Sequence, residues 1–297
     1  MSALPQQKLL PHCLNGPHGR LAYVDEGPSR ATATPLVLIH GWGADLHDWD
    51  ATVERFRTRS RVIALDLRGH GSSGPSTSDY RPATLAADVV RLLDERGVAA
   101  PAVVVGHSLG AVVASVVAAE AGDRVAGLLV LDPAYGRPEG HRDRVRPWLE
   151  QLRTDPTELA PDLVAGSVDR THHPELRAYL RDRVRRTDPE VMRRTLADLH
   201  MPAESFSSEP ASSRYLVRRT QPVLALNRDR SRARWEAGLL AGPPSRSLVW
   251  EDCGHFIHLE APERFHTLLE QWLALLDGVG EETFTFGSDV VRAGGGT

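Results

Sequence analysis

A serine set between two glycines carries the strongest chemical signal in this 297-residue chain. The segment fits the pattern G-x-S-x-G and reads Gly106-His107-Ser108-Leu109-Gly110. It lies between an apolar run at 102–105 and a run of small residues at 111–121, which indicate a strand and a helix. In this pattern the chain turns sharply from the strand into the helix at the serine. The turn requires residues with almost no side chain two positions before and two positions after the serine, because Cβ atoms would clash there. We therefore predict that Ser108 is a nucleophile at the carboxyl edge of a sheet.

A serine hydroxyl needs a general base to take its proton, and histidine titrates in the useful pH range. The chain contains 13 histidines. We favour His255, because it follows the last predicted strand and its side chain can reach back over the sheet edge. His258 and His107 lie close to the same motifs in the sequence, and we interpret them as residues that pack or support the loops.

Acyl transfer places negative charge on a carbonyl oxygen, and each backbone amide that meets this charge is worth roughly 100- to 1000-fold in rate. Leu109 directly follows the candidate nucleophile and can supply one N–H group. Trp42 can supply the other from a glycine-rich loop, in which Gly41 and Gly43 allow close approach of the backbone. The sequence therefore predicts an oxyanion hole formed by the backbone of Trp42 and Leu109.

These residues need a scaffold that brings distant segments to one edge, and the hydrophobic pattern predicts such a scaffold. Apolar runs alternate with helical patterns, which indicates βαβ units around a parallel sheet. After an opening hairpin at 11–26, apolar runs occur at 36–39, 62–65, 102–105, 125–131, 223–226 and 247–250. Because buried parallel strands are apolar throughout, we predict a mostly parallel eight-stranded sheet flanked by helices.

The alternation stops after the sixth strand. Residues 134–213 are helical in pattern, rich in charge and punctuated by proline, and we predict that they form a helical cap inserted at this point. The core then comprises residues 1–133 and 214–276. The remaining tail, 277–297, is predicted to be poorly ordered.

Composition excludes several other classes of function. The formal net charge of −4 and the pI of about 6.4 give no basic excess for nucleic acid. The apolar stretches are far shorter than the roughly 20 residues that span a bilayer, and residues 1–14 lack the pattern of a signal peptide. We therefore expect a cytoplasmic protein without a membrane partner. Two cysteines, Cys13 and Cys253, provide no disulfide framework and no thiolate metal cluster.

The motifs together resemble those of the α/β-hydrolase superfamily, in its serine hydrolase branch with a helical cap. The similar segments occur in family order and read His40-Gly41-Trp42-Gly43, Asp66-Leu67-Arg68-Gly69-His70-Gly71, Gly106-His107-Ser108-Leu109-Gly110 and Gly254-His255 followed by Glu260-Ala261-Pro262-Glu263. This branch is related to proline iminopeptidases, epoxide hydrolases, haloalkane dehalogenases and small esterases. The dehalogenases and epoxide hydrolases use an aspartate nucleophile, so Ser108 argues against both activities.

The resemblance implies a third member of a catalytic triad, a carboxylate that orients the histidine. In most of the family this acid follows the strand after the cap, in a turn of the type Gly-x-x-Asp. That region lacks the glycine here and reads Pro222-Val223-Leu224-Ala225-Leu226-Asn227-Arg228-Asp229-Arg230-Ser231. Alignment of the strand places Ser231 at the usual acid position, and Asp229 falls two residues early.

A minority of relatives carry the acid at the end of the preceding sheet strand, just before the cap. That position is occupied here by Asp132, which ends a wholly apolar strand. We rank Asp132 first as the triad acid and Asp229 second, and Asp252 and others remain further alternatives.

The resemblance implies a serine hydrolase that cleaves a carboxylic ester or lactone through an acyl-serine intermediate. A carbon–carbon bond hydrolase or a thioesterase on the same fold is the alternative, and a small-molecule receptor that retains the triad is an alternative of another class. We expect a small-molecule acyl substrate and neither a metal nor an organic cofactor. A homodimer is one candidate oligomeric state.

Overall fold

A single sheet of nine strands forms the centre of the computed structural model. The structure describes residues 4, 9–28, 33–138, 140–168, 173–278 and 289–292, apart from the side chains at 156 and 157. The strands are β1 (His12–Gly16), β2 (Gly19–Glu26), β3 (Leu36–Ile39), β4 (Val62–Leu65), β5 (Ala102–His107), β6 (Val125–Leu131), β7 (Val223–Asn227), β8 (Arg246–Val249) and β9 (Val290–Val291).

The sheet has the order β1-β2-β4-β3-β5-β6-β7-β8-β9. The six strands from β4 to β8 are parallel, and β1, β2 and β9 add antiparallel pairs at the two sides. The predicted fold, a mostly parallel sheet flanked by helices, is therefore confirmed. The ninth strand was not predicted, because Val290–Val291 is too short for a hydrophobic pattern to reveal it. Most of the remaining tail, for which we predicted poor order, lies outside the described residues.

Helices cover both faces of the sheet. They are α1 (Asp50–Phe56), α2 (Pro82–Glu95), α3 (Leu109–Glu120), α9 (Arg230–Ala237), α10 (Ile257–Glu260) and α11 (Pro262–Leu276). Alternate residues of β3 enter opposite cores, with Val37 and Ile39 in one cluster and Leu36 and Leu38 in the other. Since both faces of such a strand are buried, its sequence is apolar at every position.

Between β6 and β7, the described residues form five further helices, which we call the helical insertion. They are α4 (His141–Thr154), α5 (Pro156–Gly166), α6 (Pro174–Val184), α7 (Pro189–His200) and α8 (Glu209–Leu216). Proline stands in the first turn of α5, α6, α7 and α8, where its missing N–H group costs no hydrogen bond. In the described parts of the chain, no helix has the length and apolar character that crossing a membrane would require.

The insertion is anchored to the core by a buried ion pair. Arg183 of α6 donates a hydrogen bond to Asp48, which lies in a short 3-10 turn (Leu46–Trp49). The Arg183 guanidinium also lies 3.8 Å from Asp45. Burial raises the pKa of Asp48, but the charge of Arg183 and the neighbouring His258 outweigh burial and hold that pKa below its usual value. The ionised pair therefore joins two segments that are 135 residues apart.

We expect Arg183→Met to lower the free energy of unfolding by about 3–5 kcal/mol, because Asp48 would remain buried without its cation. Urea unfolding of the purified variant measures this change. The matched control is Arg185→Met, because Arg185 has a side chain 42% exposed and pairs with Glu158, and it should change the value by less than about 1 kcal/mol. The double variant Arg183→Met with Asp48→Asn should recover part of the lost free energy of unfolding, because it no longer buries an unpaired charge. Equal effects of the two arginine variants would contradict the anchoring role.

Candidate active site

Ser108 occupies the sharp turn between β5 and α3. Its backbone has φ 53° and ψ −111°, which a residue with a side chain seldom adopts. Among the described residues other than glycine, positive φ values occur at Ser108 and at Asp132, where φ is 34°. Such conformations persist only where the surrounding structure imposes them, and they cluster at functional sites. Here both lie at candidate catalytic residues.

The glycines around Ser108 are required by close backbone contacts. A Cβ atom at Gly106 would lie 2.3 Å from the carbonyl oxygen of Gly110. A Cβ atom at Gly110 would lie 2.2 Å from the carbonyl oxygen of Ile39. These contacts supply the steric reason that the sequence pattern indicated.

Asp132 and His255 are brought together at the carboxyl edge of the sheet. The His255 Nδ1–H group donates to Asp132 Oδ2 over 2.5 Å. Arg228, directly after β7, donates through Nε to the same oxygen over 2.9 Å. Burial raises the pKa of the Asp132 carboxyl, but its hydrogen bond with His255 and the nearby positive charges outweigh burial and hold the pKa well below its usual range. Asp132 is therefore ionised at neutral pH.

The loop that carries His255 is held from several sides. Its backbone N–H donates to the carbonyl of Ser167, at the end of α5, over 2.9 Å. Its own carbonyl accepts a hydrogen bond of 2.9 Å from His107 Nε2, which fixes the tautomer of His107 because a carbonyl can only accept. The Glu260 carboxylate accepts from the N–H groups of Gly254 and Phe256, on either side of His255. The position of His255 thus depends on both the core and the insertion.

The other acids considered from the sequence are engaged elsewhere. Asp229 is exposed and caps α9, where it accepts from the backbone N–H of Arg232 over 3.0 Å and from the Ser231 hydroxyl. Asp252 has a side chain 73% exposed and pairs with Arg264 at 3.1 Å. Of the three candidates, the structure places Asp132 in hydrogen-bond contact with His255.

The two predicted oxyanion donors lie beside Ser108. Leu109 is the first residue of α3, where backbone N–H groups have no partner within the helix. Trp42 lies on the loop after β3, and its indole Nε1–H donates to the carbonyl of Met192 in α7 over 3.0 Å. Both residues line the same cavity as Ser108. The indole contact means that the Trp42 ring also ties this loop to the insertion.

A cavity of about 270 Å³ lies between the sheet edge and the insertion, and both Ser108 and His255 line it. This volume is slightly below the roughly 300–1,000 Å³ found for ligand pockets, so it suits a small ligand. Its apolar wall consists of Trp42, Leu109, Ala134, Trp148, Leu163, Val164, Leu196, Leu199 and Phe256. Its polar wall, besides Ser108 and His255, consists of His107, Arg137, His141, Ser167, Thr195, His200 and Arg228.

A group of metal-ligating residue types lies beneath the cavity but is poorly suited to a cation. Ligand atoms of Asp48, His107 and His258 lie within 4.8 Å of one another. However, Asp48 already pairs with Arg183, whose positive charge opposes a bound cation. His107 Nε2 donates to the carbonyl of His255, which links the group to the His255 loop. We interpret the group as a buried polar support of the His255 loop.

Arg137, His141, His200 and Arg228 of the cavity wall were missed in the sequence. Arg137 and His141 lie just after the loop that follows β6, and His200 ends α7. Their patterns resemble those of ordinary surface positions, and only the packing of the insertion brings them to one cavity. Arg228 had one signal that could have been used, because it lies in the turn where the family pattern of the sequence is broken.

Comparison with known proteins identifies the family of the chain. The model described as the alpha/beta hydrolase family matches residues 36–268. The match spans well over half of the chain, so the chain belongs to the α/β-hydrolase family. The resemblance inferred from the motifs is thereby confirmed.

Individual relatives carry several different activities. The dihydrolipoyllysine-residue acetyltransferase component of the acetoin cleaving system of Cupriavidus necator is 30% identical over 267 residues, which cover 86% of this chain. The chain spans 66% of the length of that relative. A pimeloyl acyl-carrier protein methyl ester esterase of Nitrosomonas europaea is 28% identical over 247 residues, which cover 77% of this chain and 92% of the esterase.

Among solved structures, an enol-lactonase from Burkholderia xenovorans superposes with a TM-score of 0.77 and 21% identity. The alignment covers 89% of this chain and 100% of the enol-lactonase. At this level of identity the likeness establishes the shared fold.

We expect Gly110→Ala to lower the free energy of unfolding by about 1–3 kcal/mol or more, because the added methyl group would clash with the carbonyl oxygen of Ile39. Urea unfolding measures the change. Gly166→Ala is the matched control, because no atom lies within 4 Å of a Cβ atom at that helical position. The control should be neutral or stabilising by up to about 1 kcal/mol. A fully stable Gly110→Ala protein would contradict the steric account of the turn.

Proposed function

We propose that this protein is a serine hydrolase that cleaves a carboxylic ester or lactone of a small substrate through an acyl-Ser108 intermediate. The observation that carries the proposal is the hydrogen bond between buried Asp132 and His255, in a cavity that Ser108 also lines. An ionised carboxylate on Nδ1 holds the proton there, which leaves Nε2 free to act as a base. The strained backbone at Ser108 presents the hydroxyl at the same edge.

The reaction begins when His255 takes the hydroxyl proton of Ser108 and the serine oxygen attacks the carbonyl carbon of the substrate. The backbone N–H groups of Leu109 and Trp42 stabilise the oxyanion that forms. Collapse of this intermediate breaks the bond to the leaving alcohol, which takes the proton from His255. A water molecule then repeats the sequence on the acyl-serine and regenerates Ser108. Asp132 stabilises the histidinium in both halves.

Two observations favour a small ester or lactone over a bulky substrate. The cavity is small, and the helical insertion covers it. The acyl carbon must lie beside Ser108, and the wall of the same cavity includes the side chains of Trp42, Leu109 and Leu196. A panel of short esters, lactones, thioesters and vinylogous diketones separates ester hydrolysis from thioester and carbon–carbon bond hydrolysis. Repeated turnover of any member separates an enzyme from a receptor.

Ser108→Ala should lower kcat for a short ester by at least about 10⁴-fold, because the nucleophile is lost. A fluorophosphonate probe should label the wild-type chain at Ser108, as located by peptide mass spectrometry, and should not label the variant. Ser213→Ala, in α8, provides a control that should retain both activity and labelling. Labelling of the Ser108→Ala protein at another serine with full activity would disprove the assignment.

Asp132→Asn should lower kcat by about 10³- to 10⁴-fold, because an amide no longer holds the histidine in the required tautomer. Asparagine tolerates the positive φ at this position, so the backbone should be preserved. Asp229→Asn is the matched control and should change kcat less than about threefold, since asparagine caps a helix as well as aspartate does. A larger loss at Asp229 than at Asp132 would reverse the assignment of the acid.

A further inference from the structure

One end of the cavity contains polar groups that the proposed mechanism does not use. Four buried atoms on the cavity wall have no hydrogen-bond partner among the described residues, namely His107 Nδ1, Arg137 Nε, Thr195 Oγ1 and His200 Nδ1. Buried polar groups in proteins are almost always paired, so four such atoms in one cavity require an explanation. The side chains that carry these atoms line the cavity, so a polar ligand there would lie against them.

The charge at this end is positive. Burial and the nearby guanidinium groups of Arg232, Arg228 and Arg144 lower the pKa of Arg137 to about 10, which leaves it protonated at neutral pH. The negative charge of Asp132 raises the pKa of Arg137, but this carboxylate already accepts hydrogen bonds from His255 and Arg228. The cationic charge of Arg137 is therefore poorly compensated by the protein.

Two histidines beside Arg137 add hydrogen-bonding groups without charge. The rings of His141 and His200 lie 5.0 Å apart, edge to face. Burial, followed by the charges of Arg137 and other arginines, lowers the pKa of His141 to about 4. Burial, with His141 and Arg137, lowers the pKa of His200 to about 3. At neutral pH these rings are uncharged, and each can donate one hydrogen bond to an anion.

The backbone around Arg137 is held in place before any ligand arrives. Its N–H donates to the carbonyl of Ser207 and its carbonyl accepts from Glu209, each over 2.7 Å. Arg232 donates to the carbonyls of Pro133, Tyr135 and Gly136 in the loop that leads to Arg137. A guanidinium on a fixed backbone loses less entropy on binding than one on a mobile loop.

We propose that the substrate carries a carboxylate in addition to its scissile acyl group, and that Arg137 binds this carboxylate, with Thr195 and His200 as further hydrogen-bond donors. This inference rests on the proposed hydrolase function, and it specifies the class of substrate. A carboxylate fits the planar, paired donors of a guanidinium. The cavity also has room for a short chain between the two groups.

The test uses pairs of methyl esters that differ only at the far end. One member is the monomethyl ester of succinic, glutaric or adipic acid, and the other is the methyl ester of the corresponding monoamide, which is uncharged and has the same shape. At the best chain length, the wild-type protein should prefer the anionic member by about 10- to 100-fold in kcat/KM. Arg137→Gln should reduce this preference to less than about threefold.

Two further variants make the comparison specific. Arg137→Lys should keep part of the preference, because the charge remains and the paired donors are lost. Arg146→Gln removes an exposed arginine of the same insertion, on α4, and should keep the preference of the wild type. No preference in the wild type at any chain length would overturn the proposal. An equal loss on both members in Arg137→Gln would also overturn it, since that result indicates a purely structural role.

Calorimetric titration with glutarate separates this inference from the proposed function. Binding to the wild type that Arg137→Gln abolishes would support the carboxylate site even if no ester were hydrolysed, and the hydrolase proposal alone would then fail. Labelling of Ser108 by a fluorophosphonate with neither glutarate binding nor ester preference would leave the hydrolase intact. That result would overturn the carboxylate site.

Discussion

The buried carboxylate of Asp132 is the group on which the rest of the site depends. A charge removed from water is costly unless hydrogen bonds and opposite charges replace the lost hydration. His255, on the loop after β8, and Arg228, at the end of β7, both donate to Oδ2 of this carboxylate. Residues that follow three neighbouring strands therefore meet at one oxygen atom. The position of the His255 ring is set by its hydrogen bond to this buried oxygen.

The strained backbone at Ser108 and Asp132 is maintained by the sheet itself. Conformations of this kind cost about 1–3 kcal/mol each and need support from their surroundings. The Ser108 N–H donates to the carbonyl of Leu131, and the Asp132 N–H donates to that of Leu226, over 2.9 and 2.8 Å. The Ser108 carbonyl in turn accepts from Ala134 over 3.2 Å. Each strained residue is thus hydrogen-bonded to the neighbouring strand, so the backbone pairing of the sheet positions both the candidate nucleophile and the candidate acid.

The sequence predicted those parts of the site that depend on patterns of neighbouring residues. Glycine spacing revealed the turn at Ser108, and an acid at the end of an apolar strand identified Asp132. Contacts between distant segments carry no local pattern. The pairing of Arg183 with Asp48 spans 135 residues, and Arg137 reaches the cavity only because its backbone bridges to residues beside Ser208. In the sequence these arginines resemble any other charged surface residue. Their contacts become visible only in the structure, where the insertion packs on the sheet.

The turn after β7 links the place of the acid to the charge of the cavity. In most members of the family this turn is expected to supply the carboxylate, whereas here it supplies Arg228, and the carboxylate that pairs with His255 is Asp132, directly after β6. Arg228 pairs with Asp132 while its side chain stays 45% exposed at the cavity wall. Asp132 therefore accepts hydrogen bonds from both His255 and Arg228, and the wall that also contains Arg137 keeps an excess of positive charge. Because like charges repel, an anion on the substrate would relieve this repulsion on binding. A carboxylate after β6 instead of β7 gives His255 a buried partner. The same difference places Arg228 at the cavity wall, where its positive charge would suit the anionic substrate proposed above.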